Sequence, residues 1–240
     1  MWCVGKITAE YRQRMYALLE LYARPYDSQE PVVCVEEKSK QLLKETRVPV
    51  PARPGSVAQQ DYEYERAGTC NLFMSVEPKG QRRHVQVTAR RTKVDFVRFV
   101  GQLVEPLYSG AKKLHLVLDN LNTHFAPSFE EVLGPEAAAA LLAGVEFHYT
   151  PKHARWLNMA ELEIGIMEKQ CTGRRMSAQP FVAEEVTAWE HRRNVAGRGI
   201  SWTFTREKAD EKLARHYVTY LTCLCTSCAL CRRAKAAEGT

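Results

Sequence analysis

Three carboxylates stand where a folded chain can present them together: Glu36, Asp119 and Glu161. Glu36 follows the apolar run Pro31-Val-Val-Cys-Val35, and Asp119 follows Leu114-His-Leu-Val-Leu118. Both runs read as buried strands, and the crevice beyond the carboxyl ends of strands is where open α/β sheets place ligands. Glu161 follows Trp156-Leu-Asn-Met-Ala160 and falls at the start of an expected helix. Carboxylates delivered from two strand ends and one helix suit a two-metal phosphoryl-transfer site, in which the ions clamp the attacking and leaving oxygens. Magnesium, being hard and oxygen-seeking, requires such ligands. The chemistry implied is that of a nuclease or DNA strand-transferase. Lys38, Lys152 and Arg155 lie close by in sequence and are candidates for steering a DNA backbone, an effect that salt weakens.

Taken singly, each carboxylate has a plainer reading. Glu36 and Asp119 would mark strands leaving the core, and Glu161 would sit in a first helical turn because the helix dipole favours it there. The three gain weight jointly, since all would fall on one edge of one sheet.

The elements that must position them follow from periodicity. Residues 8–23 predict a helix with Tyr11, Met15, Leu18, Leu19 and Tyr22 on one side. Val32–Val35 predicts a short central strand. Arg47-Val-Pro-Val-Pro-Ala-Arg-Pro-Gly55 is too rich in proline for a regular element and reads as an extended surface loop. Tyr62–Val76 and Arg83–Ala89, around Pro78-Lys-Gly80, predict a hairpin antiparallel to the first strand. Thr92 with Asp95 three residues on predicts a capped helix to about Tyr108. Then come a strand at Leu114–Leu118, a helix at Phe129–Ala143 stopped by Gly144, and a strand at Val145–Tyr149. Helices from Asn158 to about Lys169 and from about Ala183 to Asn194 complete the pattern. Three adjacent strands, then two alternating with helices, imply an α/β fold with a mixed sheet and helices on its faces.

Bulk composition is compatible with this. The 240 residues suffice for one good core, and the net charge of +6 permits a polyanionic partner without requiring one. Arginine pairs recur at Arg82-Arg83, Arg90-Arg91, Arg174-Arg175, Arg192-Arg193 and Arg232-Arg233, and any single pair reads best as solvated surface. No apolar run is long enough to span a membrane. The start lacks a signal core, so disulfides are not expected and Cys34 and Cys70 read as small buried hydrophobes.

Val33-Cys-Val-Glu-Glu-Lys-Ser39, Leu116-Val-Leu-Asp-Asn-Leu-Asn-Thr-His124 and His148-Tyr-Thr-Pro-Lys-His-Ala-Arg-Trp-Leu-Asn-Met-Ala-Glu161 together resemble the acidic-triad transposases of bacterial insertion sequences. The resemblance is to the branch related to the mariner superfamily, described as the DDE superendonuclease domain. It spans roughly residues 1 to 218, including Asp61–Asn71 and Trp202-Thr-Phe204. It implies a ribonuclease-H-like mixed five-stranded sheet flanked by helices, with metal-dependent DNA cleavage and strand transfer. Glu36, Asp119 and Glu161 would be both the catalytic residues and the ligands of Mg or Mn, as two ions. His124 would follow the second ligand in a scaffolding or catalytic role. The implied partners are double-stranded DNA, as transposon ends and target, and a second copy in a paired-end complex. The implied setting is a bacterial cytoplasm, at the nucleoid, with no membrane. The implied division is a linker helix and lead-in over 1–30, a catalytic domain over 31–218, and a Cys-rich tail over 219–240 outside the fold.

Two departures from the family pattern matter. Glu36 stands where the family has Asp, and the extra methylene is expected to impair catalysis. Glu37 alternates to the other face of the strand and cannot substitute. The chain also opens at the linker helix, so N-terminal truncation and loss of a helix-turn-helix module are expected. A second reading is therefore a non-catalytic DNA-binding or dimerising module, and a third is a nuclease of RNA–DNA hybrids. In the tail, Cys223, Cys225, Cys228 and Cys231 either bind zinc or belong to a passive extension.

Overall fold

In the computed structural model, which describes residues 6–119 and 126–218, the chain begins with α1 (Ala9–Ala23) and the long strand β1 (Val32–Glu45). The hairpin β2 (Tyr64–Glu77) and β3 (Arg82–Thr88) follows, then α2 (Lys93–Gln102) and β4 (Leu114–Leu118). The second half runs α3 (Ala126–Leu133), α4 (Pro135–Leu142), β5 (Val145–Tyr149), α5 (Ala160–Met167), α6 (Gln179–Val195) and α7 (Arg206–Leu213). The sheet order is β3-β2-β1-β4-β5. β1, β2 and β3 pair antiparallel, whereas β4 pairs parallel with both β1 and β5. This is the expected mixed five-stranded sheet.

Alternation along the strands sets the layers. On one face Cys34 and Val117 meet Met15, Leu18 and Tyr22 of α1. On the other, Val33, Val35, Leu116 and Leu118 meet Phe96, Phe99 and Val100 of α2, with Phe129 and Ala138. Continuing the first parity along β1 and β4 brings Glu36 and Asp119 onto the α1 face together. A third cluster packs Leu42, Leu72 and Met74 against Met167, Val186 and Trp189, which docks α5 and α6 on the hairpin.

Local signals hold where they are strong. The Thr92 amide donates to Asp95 Oδ2 at 2.9 Å and the Asp95 amide donates to Thr92 Oγ1 at 3.3 Å, the expected capping box. The 47–55 loop forms only isolated bridges. Cys34 and Cys70 are fully buried. Among the described residues no helix is long and apolar enough to cross a membrane.

Several boundaries differ from expectation. β1 extends to Glu45, far beyond Val35. It pairs with β4 only from Val32 to Cys34, and beyond that it is a ribbon with β2 alone, so its outer half tolerates lysine. The single helix expected over 129–143 is two: Gly134 takes φ 82° and Pro135 opens α4. A residue before proline is excluded from helical backbone, and glycine alone enters that positive φ without cost. Beyond Gln102 the chain widens into a π-helical turn, Leu103–Leu107, where Pro106 lacks an amide and Tyr108 donates back to Leu103. α5 continues as a second such turn, Glu168–Thr172. α6 starts earlier than expected, with Pro180 in its first turn, and α7, capped by Thr205, was not expected at all.

The largest departure concerns two arginine pairs. Arg83 is 1% exposed, and its Nε lies 3.1 Å from Glu163 Oε1. Arg193 Nε reaches the same oxygen at 2.8 Å. Neither arginine is solvated surface. The pair fastens α5, the helix that begins beside Glu161, to β3 and α6. Removing one partner of a buried ion pair strands a charge at a cost of about 3–5 kcal/mol. Glu163→Gln is therefore expected to lower the melting temperature by roughly 10 °C. A loss within the error of a melting curve would show that Arg83 finds sufficient partners in the carbonyls of Gln81 and Arg198.

Candidate functional site

Asp119 leaves the end of β4 only 4% exposed, and Thr150, just past β5, donates its hydroxyl to Asp119 Oδ1 at 3.0 Å. Glu36 lies on the adjacent strand at 2% exposure. Its longer side chain folds back on its own backbone, so that the Glu37 amide donates to Glu36 Oε1 at 3.0 Å. Asn158, fully buried, donates to the Val35 carbonyl at 2.8 Å and to Glu36 Oε2 at 3.3 Å, and accepts from the Ala160 amide at 3.1 Å. One side chain thus ties the start of α5 to β1 and sets Glu161 opposite Glu36. Oxygens of Glu36, Asp119 and Glu161 all lie within 4.8 Å of one another. The expected convergence is present.

Arg155 occupies the middle of the group. It lies in a short turn, Arg155–Leu157, before α5. Its Nη2 is 3.0 Å from Glu36 Oε1 and 2.8 Å from Glu161 Oε1, and its Nε is 2.9 Å from Asp119 Oδ2. One guanidinium bridges all three carboxylates. Even so, burial, and after it the charge of Asp119, push the Glu36 carboxyl up to about 8. The cluster carries more negative charge than a single cation neutralises.

The other basic candidates are placed differently. Lys38 shares the Glu36 face but its Nζ meets Glu168 Oε2 at 2.5 Å, not the triad. Lys152 is exposed on the turn after β5, beside Thr8 and Glu10 at the start of α1. Glu37 points to the opposite face, where Arg91 Nη1 lies 3.2 Å from its Oε1. His124 and the four tail cysteines lie outside the described residues. Asn158 and Thr150 were not recognised as site residues from the sequence. The phrase Trp156-Leu-Asn-Met-Ala-Glu161 held the signal for Asn158, since an Asn beside a helix start readily accepts from a nearby backbone amide, as Asn158 does from Ala160.

A sheet of this order, with carboxylates converging from β1, β4 and α5, defines a ribonuclease-H-like fold bearing an acidic triad. Residues 31–180, which contain the whole triad, match the family model described as DDE superfamily endonuclease, and the chain belongs to that family. Among solved structures it is similar to the Mos1 mariner paired-end complex with Mn, with TM-score 0.52 and 15% identity over 92% of this chain and 68% of that one. A pre-cleavage Mos1 transpososome matches with TM-score 0.52 and 14% identity over 92% and 68% of the two chains. The Mos1 transposase paired-end complex with left transposon end matches with TM-score 0.53 and 14% identity over 90% and 65%. At these identities the likeness concerns the fold. A search of curated proteins found no match.

Proposed function

We propose that residues 31–218 form a transposase catalytic domain, a metal-dependent DNA endonuclease and strand-transferase. The observation that carries this is the meeting of Glu36, Asp119 and Glu161 around one positive charge. The donor set fits a hard divalent ion: all the ligating atoms are carboxylate oxygens, and three carboxylates face one guanidinium. Held by those three residues, Mg or Mn would supply Lewis-acid stabilisation for in-line displacement at phosphorus.

The chain's own residues do the positioning. Thr150 and Asn158 fix the orientations of Asp119 and Glu36. The Arg83–Glu163–Arg193 group holds α5, and with it Glu161. Arg155 neutralises the carboxylates in the absence of metal and, once released, would be available to a DNA phosphate. Double-stranded DNA as partner, and a dimer holding paired ends, are proposed by analogy with what the Mos1 structures are named for. A cytoplasmic, nucleoid-associated setting goes with that reading.

The direct test is to incubate the full chain with supercoiled plasmid and Mn or Mg. Nicks with 3′-hydroxyl ends are expected with metal and none with chelator. Binding of DNA with no nicking under either metal would instead favour the non-catalytic module, a reading that the occupancy of the triad by Arg155 also supports. Glu36→Asp is expected to raise nicking up to about a hundredfold, because a misplacement near 1 Å costs about that factor. Equal rates for Glu36→Asp and the parent would show that the folded-back glutamate already presents its oxygen correctly.

A further inference from the structure

At the other end of the β4–β5 pair a different set of donors converges. The register sets His115 opposite Glu146 and Val117 opposite His148. Alternation then puts His115, Glu146 and His148 on one face. His115 Nδ1 and His148 Nε2 are 2.9 Å apart, with ring planes tilted by 42°. Glu146 Oε2 lies 3.7 Å from His115 Nδ1, and Glu146 Oε1 lies 3.5 Å from His148 Nε2.

We propose that His115, His148 and Glu146 form a second metal site, for a first-row transition ion such as Zn2+, separate from the acidic triad. Ligands about 2.0–2.2 Å from a tetrahedral ion stand roughly 3.3–3.5 Å from one another. The imidazole nitrogens, 2.9 Å apart in a mutual hydrogen bond, and the two Glu146 oxygens, 3.5 and 3.7 Å from them, bracket that range, so an ion seats there once that hydrogen bond gives way and the carboxylate turns one oxygen inward. Two imidazoles and one carboxylate suit zinc or cobalt; magnesium prefers oxygen alone. A second observation points the same way. The His115 side chain is 3% exposed, yet its Nε2 has no hydrogen-bond partner, and Glu30 Oε2 lies 3.7 Å from it. A carboxylate beyond the outer nitrogen is the arrangement that orients metal-binding histidines and leaves the inner nitrogen as ligand. Lys113 Nζ, 3.1 Å from Glu146 Oε2, is 48% exposed and free to swing into solvent. The half-exposed Glu146 side keeps a coordination position open to water.

This site cannot share ions with the triad. His115 and Asp119 lie at opposite ends of one strand, about 13 Å apart at ~3.3 Å per residue. Its effect would be structural. It would clamp the edge strand β5 to β4, and β5 leads into Thr150, which positions Asp119.

Cobalt binding to the full chain tests this, using visible absorption for the ion and thermal unfolding for its effect. Expected is one strongly absorbing tetrahedral Co2+, distinct from any weakly absorbing ion at the triad, with a spectrum lacking thiolate charge transfer and retained when Cys223, Cys225, Cys228 and Cys231 are all changed to Ser and when Asp119 is changed to Asn. His148→Gln and, independently, the exposed Glu146→Gln should each weaken binding about tenfold or more, since even an outer-shell partner accounts for 10–100-fold. Both should abolish the cobalt-induced rise in melting temperature while leaving the melting temperature in chelator close to the parent's. Unchanged affinity in both variants, or loss of the signal in the Cys-to-Ser chain or in Asp119→Asn, would overturn the proposal and move the ion to the tail or the triad.

Discussion

Asp119→Asn should abolish metal-dependent nicking, by about three orders of magnitude or more, without unfolding the protein. The change keeps the shape, and Asn Oδ1 still accepts from Thr150, so the 3.0 Å bond survives. What goes is one of the three carboxylates whose oxygens lie within 4.8 Å of one another. Metal charge stabilisation amounts to several kcal/mol of the barrier, and each 1.36 kcal/mol is tenfold in rate. Stability should move the other way at high pH. In the parent, Glu36 is pushed up to about 8, first by burial and then by Asp119. Between about 4.5 and 8 the folded chain therefore holds a proton that the unfolded chain has lost, and stability in chelator falls as pH rises through that window. Without the Asp119 charge the fall should be shallower. Urea unfolding in chelator at pH 5.5 and 8 reads the slope directly. Nicking within tenfold of the parent would remove Asp119 from the catalytic set. A slope as steep as the parent's would leave burial and the charge of Glu161 as the causes of the Glu36 shift.

Arg155→Gln should tighten Mn binding by about 10–100-fold and weaken DNA binding at the same time. An entering ion must displace contacts of 2.8, 2.9 and 3.0 Å from three carboxylates. The arginine side chain is 59% exposed, so solvent screens these pairs and their combined value is near 2 kcal/mol, well below that of buried pairs. That corresponds to roughly thirtyfold in metal affinity. In chelator the variant should be less stable than the parent, and saturating Mn should restore it, because either cation can neutralise the cluster. If Arg155 moves to phosphate when DNA arrives, its loss should also reduce the salt slope of DNA binding by about 1. Calorimetry with Mn and a salt titration with duplex DNA separate the two effects. Unchanged Mn affinity would mean that the guanidinium does not compete with metal for the carboxylates.

Much of this architecture was legible in the residues. Val32–Val35 and Leu114–Leu118 are largely apolar runs and Val145–Tyr149 alternates apolar and polar residues, all between turn signals, and each lies in or forms a strand. Pro78-Lys-Gly80 marked the hairpin, and Thr92 with Asp95 marked α2, because caps and turns act over three or four residues. Gly134-Pro135 was an equally local signal, and its helix break was overlooked because the alanine run beside it is strongly helical. The outer half of β1 was not legible from hydrophobicity. Its lysines are tolerated only because β4 ends and leaves one side unpaired, a fact of the sheet as a whole.

The acidic positions, and the end of the sheet they share, follow from alternation with period two and a helix start, so the chain alone determined which carboxylates converge. The partners of those carboxylates were decided by the tertiary structure. Arg155 has the composition of a surface DNA contact and became the counter-cation of the triad; Arg83 and Arg193 read as solvated surface and became the buried mates of Glu163. The physical reason is range. Backbone preferences are settled among neighbours, whereas a long flexible cation takes whichever carboxylate packing brings within about 3 Å, and distance along the chain does not encode that choice.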